Sequence, residues 1–424
     1  PFAFGANNTS DTKLFKATAS APIIPSLQAA WVKDRWAFQF NFALVGGGGK
    51  AEFEQGMGSF ESQVALLGLV GQRMAAVMPA LGFNKYKVDA YMHGKQYYFG
   101  TTLGTSYRIN DNFSVYGGVR GVYATAHYYG YLKNIQINPG SGNNFVSAPA
   151  FFAQTAKALQ PAVAVNPTLA PRLRQLSVLA AATQDVTLNT DQSAFGFAPI
   201  VGVHFHSQYF DASAKYEFRT RIAFENESAN SQSAENLTAL AAYRDGAQVR
   251  SDIPALLTVG AQVRPIEGLR LNLGYHQYFD KQAKSGVKGA YRNELLKGGT
   301  KEYLFGAEYD LTKKWEISAG VQRTVYPNTN EYMNDLTFTT NSTSLGLGVG
   351  YQVNEKVKVN AGYFKTFYDT YNKVSQNYNN VANIIGLAEG ADRALQLVES
   401  GAVKGSDTFT RTNQVFGLGV ELTF

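Results

Sequence analysis

The feature of this sequence that most constrains its fold is a repeated alternation of apolar residues with small, polar or charged ones. In residues 414–424, "QVFGLGVELTF", every second residue from Phe416 to Phe424 is apolar. Successive side chains of a β-strand point to opposite faces, so such a stretch predicts a strand with one apolar and one polar face. The same pattern predicts about thirteen strands, near residues 23–32, 36–45, 97–109, 113–131, 195–206, 209–224, 253–264, 269–279, 301–311, 315–326, 338–353, 357–369 and 408–424.

The polar faces of these strands carry charge, which limits the surroundings in which they can fold. Arg264, Arg270, Glu308 and Glu316 fall on the polar faces of their strands. A buried charge is costly unless it is paired, so that face is either wet or internally paired. The mean hydropathy is −0.19, and no apolar run is long enough for a transmembrane helix. Strands with one face toward lipid and the other toward water give a similar average hydropathy.

The connections between the predicted strands alternate between short and long. Short polar turns occur at "KDR", "NDN", "PIEG", "TKK" and "NEK", and the long connections cover about residues 46–97, 132–194, 225–252, 280–301, 327–337 and 370–407. Short turns at one rim and long loops at the other are typical of outer-membrane barrels, which have an even number of strands and no exposed strand edge. The sequence therefore predicts an all-β fold, a transmembrane antiparallel β-barrel of about 14 strands. We expect a single domain over residues 1–424, with short periplasmic turns and long, partly helical extracellular loops.

Two of the long loops are apolar rather than polar. Residues 59–82 and 145–182 carry apolar side chains at helical spacing, which predicts helices. Apolar loop surfaces of this kind indicate contact with one another or with a ligand. The helices therefore pack together as a lid or form a landing groove for an apolar ligand, and both can hold together. The candidate ligand-contacting residues are Val70, Met74, Phe145, Phe151, Phe152, Leu159, Leu173 and Leu176.

The composition argues against several other classes of protein. The chain has no cysteine, so neither disulfides nor thiolate chemistry are available. The net charge of +6 is not gathered into a basic block of the kind that binds nucleic acid. His204 and His206 share one face of a strand, yet no acidic or cysteine cluster accompanies them as further metal ligands. We therefore expect no enzymatic activity, metal, cofactor or nucleic-acid partner.

Three stretches carry a resemblance to a known family. They are "APIIPSLQAAWVKDRWAFQFNF", "YFGTTLGTSYRINDNFSVYGGVRGVYATA" and "SDIPALLTVGAQVRPIEGLRLNLGY". The first resembles the second and third strands of the FadL/TodX family of outer-membrane transporters for long-chain fatty acids and other hydrophobic compounds. The second resembles the next hairpin, and the third a strand opened by a polar residue, an apolar residue and proline. The family's N-terminal hatch and first strand have no counterpart in this chain and are expected ahead of Pro1, so the inner high-affinity site is not assigned.

The resemblance implies passive, ligand-gated uptake of a hydrophobic molecule. The molecule is captured at the outer loops, moves to a pocket inside, and leaves sideways through a gap in the wall at a kink of the third strand. In this sequence that strand reads "FQFNFALVGGGGKAEF". Glycine runs mark bends in strands, and the alternative is the start of a flexible loop. The residues expected to form the lateral-exit kink are Ala43, Leu44, Val45, Gly46 and Gly47.

The carboxylate of a fatty acid would need a cation or hydrogen-bond donors inside the barrel. Arg120 and Arg264 are candidates for this role, together with Arg270. The alternative is that each arginine is a structural partner of an inward-facing acid. Those acids are Glu308, Asp310 and Glu316.

Two rival functions stay open at this point. A barrel of the same fold can act structurally or in secretion through protein partners and transport no hydrophobic compound. An open porin for polar solutes fits less well, because the apolar loops and the smooth wall at Gly346, Gly348 and Gly350 argue for a plugged barrel.

The expected partners follow from the proposed place of the protein. They are a long-chain fatty acid or other hydrophobic small molecule, and the outer-membrane lipid with its lipopolysaccharide. A basic loop is either a solvated surface or a contact for lipopolysaccharide phosphates; it contains Lys281, Lys284, Lys288, Arg292 and Lys297. We expect a monomer in the outer membrane of a Gram-negative bacterium.

Overall fold

A computed structural model describes residues 2–8 and 10–424, and most of its regular structure is β-strand. The strands are β1 (Thr18–Ser20), β2 (Ser26–Lys33), β3 (Trp36–Phe53), β4 (Tyr86–Arg108), β5 (Phe113–Ile137), β6 (Val146–Ser147), β7 (Val186–His206), β8 (Phe210–Glu217), β9 (Ala223–Ser228), β10 (Gln248–Ser251), β11 (Leu256–Val263), β12 (Leu269–Tyr278), β13 (Ser285–Gly286), β14 (Lys301–Asp310), β15 (Trp315–Val325), β16 (Ser342–Asn354), β17 (Val357–Tyr368), β18 (Tyr371–Ser375), β19 (Gly405–Phe409) and β20 (Thr412–Leu422). The helices are α1 (Gly58–Ala65), α2 (Leu67–Val77), α3 (Ala148–Val165), α4 (Ala170–Ala182), α5 (Gln232–Asn236), α6 (Val381–Glu389) and α7 (Ala391–Glu399). None of the helices in the described ranges has both the length and the apolar composition needed to span a membrane.

The long strands follow one another in an antiparallel sheet. Their order is β2, β3, β4, β5, β7, β8, β11, β12, β14, β15, β16, β17 and β20. The short strands β1, β9 and β10 lie in line with β2, β8 and β11 and join the same sheet. Strands β18 and β19 pair with each other as a separate hairpin. The number and sites of the long strands agree with the alternation pattern of the sequence.

The two faces of the sheet differ as the alternation predicts. On β5, Val119 and Tyr123 are exposed, whereas Val122 and Ala124 are completely buried. We call the face that carries Val122 the inner face and the opposite one the outer face. On the last strand, Leu418 is 89% exposed on the outer face. The outer face is therefore apolar and uncovered, as it would be against lipid.

Four strands are longer than the sequence pattern predicts, and one of them is β3, which continues to Phe53 instead of ending near residue 45. Strand β4 begins at Tyr86, β5 ends at Ile137 and β7 begins at Val186, so these strands contain 23, 25 and 21 residues. A membrane-spanning strand needs only about 9–11 residues. The excess lies at the long-loop end, where outer-face residues such as His127 and Lys95 are no longer apolar. The alternation criterion missed these extensions because it requires an apolar face.

The long-loop end is covered by helices. The stretch predicted as helical at 59–82 forms α1 and α2, and the stretch at 145–182 forms α3 and α4. The long connection predicted at 370–407 folds into the β18–β19 hairpin with α6 and α7 between its strands. These elements place most of the apolar loop residues against one another rather than in water.

Candidate functional site

A hydrophobic cluster at the long-loop end joins α1 to α4 with the upper parts of β4 and β5. Its centre includes Phe152, which is completely buried, and Leu176, which is 8% exposed. Phe83 and Phe151 lie against Phe152, with ring centroids 6.0 and 5.6 Å away. The helices of the two apolar loops therefore pack together as a lid, and we call this cluster the lid core.

All but one of the remaining loop residues predicted to contact a ligand lie at the margin of the lid core. Those that are partly buried against it are Val70, Met74, Phe151, Leu159 and Leu173. They come from α2, α3 and α4, and they offer apolar surface that packing leaves uncovered. Phe145 lies outside the cluster, beneath the Lys87 ammonium, 4.1 Å from the ring centroid. The fully buried Phe152 serves packing, whereas the marginal residues keep part of their apolar surface accessible.

A second part of the lid core comes from residues near the start of the sequence and was not predicted. Phe2 is buried in the cluster and Phe15 packs against it, with their ring centroids 5.6 Å apart. Lys13 donates to the buried Glu61 of α1 with an N–O distance of 2.6 Å, and Tyr86 donates to the other carboxylate oxygen at 3.0 Å. The paired phenylalanines in "PFAFG" were the available signal.

Strand β3 carries two irregularities at the glycine run. Its register against β4 shifts between Leu44 and Gly46, and again between Gly46 and Gly49. Gly47 and Gly49 have φ of +87° and +74°, a region that residues with a Cβ avoid. A Cβ built on Gly47 would lie 2.1 Å from the carbonyl oxygen of Gln96. The predicted kink residues from Ala43 to Gly47 therefore lead into a double bulge within an unbroken strand, rather than into a flexible loop.

The neighbour of β3 on its other side is interrupted at the same level. Strand β1 pairs with β3 up to Ser20 opposite Lys50, and β2 resumes the pairing at Ser26 opposite Ala43. The intervening residues 21–25 are not paired with β3. Ile23 in this segment is 81% exposed. The sheet therefore has a gap in its ladder beside the β3 bulge, which we call the wall break.

An apolar cluster on the inner face lies directly behind the wall break. Its buried members are Tyr98, Val122, Ala124, Ala126, Ile222 and Phe224. Val45, the extra residue of the first bulge, is packed against it. The cluster joins β4 to β9, which are separated in the sheet by β5 and β7, so the sheet curves around it. We call it the inner cluster.

The candidate cation Arg120 lies beside the inner cluster and is partnered by Glu217, an acid on β8. Arg120 contacts Glu217 at 2.6 Å, and Lys215 contacts the other oxygen of Glu217 at 2.6 Å. Arg120 Nε also donates to Thr102 at 3.2 Å. Two cations therefore share one carboxylate, which leaves a net charge of +1 next to Val45. The pairing of Arg120 with Glu308, Asp310 or Glu316 was wrong because those acids lie on distant strands.

The other two arginines belong to separate networks. Arg264 pairs with Asp211, which also accepts from His206, so its expected pairing with Glu308, Asp310 or Glu316 was wrong as well. The reason is the strand register. Strand β11 lies beside β8 with Gln262 opposite Asp211, and Arg264 follows Gln262 by two residues and therefore lies on the same face. For Arg270 the expectation is confirmed. Its partners are Glu308, Asp310 and Glu316, at 3.0, 2.8 and 2.9 Å.

The histidines form no metal site that the structure reveals. His204 and His206 stack on one another with ring centroids 6.4 Å apart. Among residues 2–8 and 10–424, no three acidic or histidine side chains are grouped so that they could hold a metal ion. At the wall break itself, the available interactions are apolar contact with the inner cluster and the net positive charge of Arg120, Lys215 and Glu217.

Comparison with solved structures shows the fold to which these features belong. The crystal structure of a Pseudomonas aeruginosa FadL homologue has a TM-score of 0.54 and 14% sequence identity, and the match covers 94% of this chain and 77% of that one. The TodX deltaS2S3 mutant monoaromatic hydrocarbon channel gives a TM-score of 0.50 at 11% identity, with 82% and 78% covered. The P. putida toluene transporter TodX gives 0.49 at 12% identity, with 85% and 82% covered. At such identities the first two likenesses show a shared fold, the outer-membrane β-barrel.

Comparison at the level of sequence settles the family. The search of curated proteins gave no match to this chain. Residues 96–398, more than two thirds of the chain, match the family model described as outer membrane protein transport protein (OMPP1/FadL/TodX). The short turns are therefore periplasmic and the helix-covered end faces outward, and the protein is a transporter rather than an enzyme. The chain belongs to the OMPP1/FadL/TodX family of outer-membrane transport proteins.

Proposed function

We propose that this protein takes up long-chain fatty acids, or hydrophobic compounds much like them, by passive diffusion through the barrel with lateral exit into the membrane. Uptake of hydrophobic compounds follows from the family; the substrate class, the route and the residues are our proposal. The observation that carries it is the inner cluster, which lies between the wall break and an unbalanced positive charge.

Capture is assigned to the margin of the lid core. Val70 and Met74 of α2 face the same apolar cluster as Phe151, Leu159 and Leu173 of α3 and α4. Burying each methylene of a tail yields about 0.8 kcal/mol, so a long tail supplies enough free energy to leave water at this surface. The half-buried residues can give way without dismantling the buried centre at Phe152.

An anionic head group is favoured by the charges beside the inner cluster. The Arg120 side chain is 18% exposed and that of Glu217 only 9%, so their pairing takes place largely out of water. Because Lys215 is bound to the same carboxylate, the trio can accept a second carboxylate from a ligand. Uncharged hydrocarbons would gain nothing from this arrangement. We therefore prefer fatty acids to neutral compounds as the substrate class.

Exit is assigned to the wall break. The unpaired residues 21–25 and the bulged residues 44–49 face each other at this point. A tail that passes here moves from apolar protein to lipid without entering the periplasm. This route needs no energy source, because each step exchanges one apolar environment for another.

Contact with lipopolysaccharide remains a further proposal for the basic loop. Lys281, Lys284, Lys288 and Lys297 are exposed and available to phosphates. Arg292 is not, since it is bound to Thr337 and to the Tyr332 carbonyl of the loop between β15 and β16. A monomeric state is likewise our expectation.

The test is a binding titration of labelled long-chain fatty acid against the detergent-purified protein, with a detergent-only blank. Phe151→Asp places a charge at the capture surface and should weaken binding at least tenfold. Phe152→Asp is unsuitable because that side chain is completely buried and the lid would unfold. Val165→Asp is the matched control, since Val165 at the end of α3 is 87% exposed.

Saturable binding that weakens in Phe151→Asp alone supports capture at the lid margin. Equal affinities of Phe151→Asp and Val165→Asp would show that capture takes place at another surface. Folded protein with no saturable binding would exclude fatty acids and favour the rival role through protein partners.

A further inference from the structure

Tyr98 of β4 closes the inner side of the bulge. It pairs with Gly46, the residue between the two register shifts of β3. Its side chain is buried, with 6% of the residue exposed. A Cβ built on Gly46 would lie 3.1 Å from Cδ2 of the Tyr98 ring. The ring therefore lies against the inner side of Gly46 and fills the space that a side chain there would occupy.

The Tyr98 hydroxyl is held from a distant part of the sheet. It lies 2.7 Å from the hydroxyl of Ser251 on β10, and Gln96 Nε2 donates to it at 2.8 Å. Since Gln96 supplies one donor, the Tyr98 hydroxyl is free to donate to Ser251. Strand β10 is separated from β4 by β5, β7 and β9. The bond thus crosses the inside of the curved sheet.

The ring itself is supported from the same side. Phe224 of β9 lies against Tyr98, with ring centroids 6.1 Å apart. On the other side of the ring, the Val45 side chain occupies the space above Gly100, where a Cβ would lie 2.6 Å from Val45 Cγ1. Val45 and Tyr98 therefore both lie on the inner side of the bulge, between the rest of the inner cluster and the wall break. An apolar chain that leaves by this route has to displace them.

We infer that Tyr98 is the gate residue of the wall break and that its bond to Ser251 holds the gate closed. This inference rests on the proposed function, because it assumes that hydrophobic ligands leave at the bulge. The size of the Tyr98 ring determines which ligands pass, because the ring must move away from Gly46 before a ligand can leave. The hydroxyl sets how often the ring moves, since the bond to Ser251 must break first.

The two parts of the side chain can be separated by substitution. Tyr98→Phe keeps the ring and removes the bond, and Ser251→Ala removes the same bond from the other side. Loss of one hydrogen bond changes the population of the open state by roughly two- to tenfold. Both variants should therefore raise the initial rate of uptake by that factor. The double variant should be no faster than the faster single one, because both changes remove one shared interaction.

The measurement is uptake of labelled oleate by Gram-negative cells that lack their own fatty-acid transporter and produce the full chain. Rates are corrected for the amount of folded barrel in the outer membrane, judged from the heat-dependent gel mobility. Tyr97→Phe is the matched control, since Tyr97 lies on the outer face of the same strand. A second substrate, a fatty acid with a terminal pyrene, tests the ring. Tyr98→Ala should admit it at least fivefold faster than the wild type.

The outcomes separate the gate from the function on which it rests. Faster oleate uptake by Tyr98→Phe and Ser251→Ala, without a further gain in the double variant, supports the gate. Wild-type rates in both single variants, with wild-type uptake intact, overturn the gate and leave the proposed function standing. Absence of saturable oleate uptake in the wild type overturns the proposed function and the gate with it.

Discussion

The Asp335 carboxylate accepts a hydrogen bond from the backbone nitrogen of Ser59 at 2.7 Å. Ser59 lies in the first turn of α1, and Asp335 belongs to the loop between β15 and β16. The aspartate therefore satisfies a free N–H at the helix start, a task that the preceding residue Met57 does not perform with its side chain. This bond ties two extracellular loops together across 276 positions of sequence.

Removal of this carboxylate should loosen the start of α1. We expect Asp335→Ala to reduce the local stability of the helix by about 0.5–2 kcal/mol, the usual cost of losing a helix cap. The measurement is amide hydrogen exchange of residues 58–65, which should become faster while the strands stay protected. Asp111→Ala is the control, because Asp111 is exposed in a short turn at the opposite end. Unchanged exchange in Asp335→Ala would mean that packing alone holds α1.

The same contact should make the lid sensitive to pH. Burial raises the pKa of Asp335, and the nearby Asp407 carboxylate raises it further. Because the folded-state pKa lies above the unfolded value of about 4, the folded lid binds the proton more tightly. The resulting stabilisation is complete below the unfolded pKa and is lost as the pH rises through the folded pKa. Protection of residues 58–65, corrected for intrinsic exchange, should therefore fall as the pH rises from 4 toward neutrality.

Asp335→Asn provides the matched comparison for this pH effect. The amide cannot ionise, yet its oxygen can still accept from Ser59. The variant should keep its protection as the pH rises, where the wild type loses it. An equal pH slope in the two proteins would assign the effect to another group.

The strand pattern could be predicted from sequence because lipid imposes a simple rule. Outer-face residues such as Val119 and Leu418 must be apolar, and their spacing of two is visible without any tertiary information. The helices of the two apolar loops were visible for the same reason. The upper part of β4 was not, because its outer face carries His93 and Lys95 above the lipid and the apolar signal ends there.

The partners of charged residues could not be predicted, because they depend on strand register. Glu217 and Arg120 are 97 positions apart and lie on strands that are not direct neighbours. Their meeting requires the intervening β7 to bring both to one level on a curved inner face. The partners of Arg270 were easier to predict, since Glu308 is its direct cross-strand neighbour. The gate at Tyr98 was invisible in sequence because Ser251 reaches it across the inside of the barrel.

Gly47 is the position where a single methyl group should damage the wall break. Its φ of +87° costs a residue with a Cβ about 1–2 kcal/mol, and the new Cβ would overlap the Gln96 carbonyl. We expect Gly47→Ala to lower the urea midpoint of the detergent-solubilised barrel. Gly417→Ala is the control, because a Cβ at Gly417 would have no atom within 4 Å. Equal midpoints for the two variants would show that the bulge can rearrange at little cost.

Arg120 and Arg264 offer a direct test of which cation receives the head group. Arg120→Leu leaves Glu217 paired with Lys215, so the site becomes neutral and loses its attraction for an anion. A hydrogen bond to a charged group contributes about 1.5–3 kcal/mol, so fatty-acid affinity should fall roughly ten- to hundredfold. The methyl ester of the same fatty acid carries no charge, and its affinity should change by less than threefold. Arg120→Lys should restore most of the acid binding.

Arg264→Leu is the counterpart, since Arg264 lies in the separate network with Asp211 and His206. It should leave both acid and ester binding unchanged, provided that gel mobility shows a folded barrel. If Arg264→Leu weakens acid binding and Arg120→Leu does not, the head group sits near the periplasmic rim rather than beside the inner cluster. In that case the tail would have to extend from the rim toward the wall break, and Tyr98 would meet the methyl end of the ligand instead of its carboxylate.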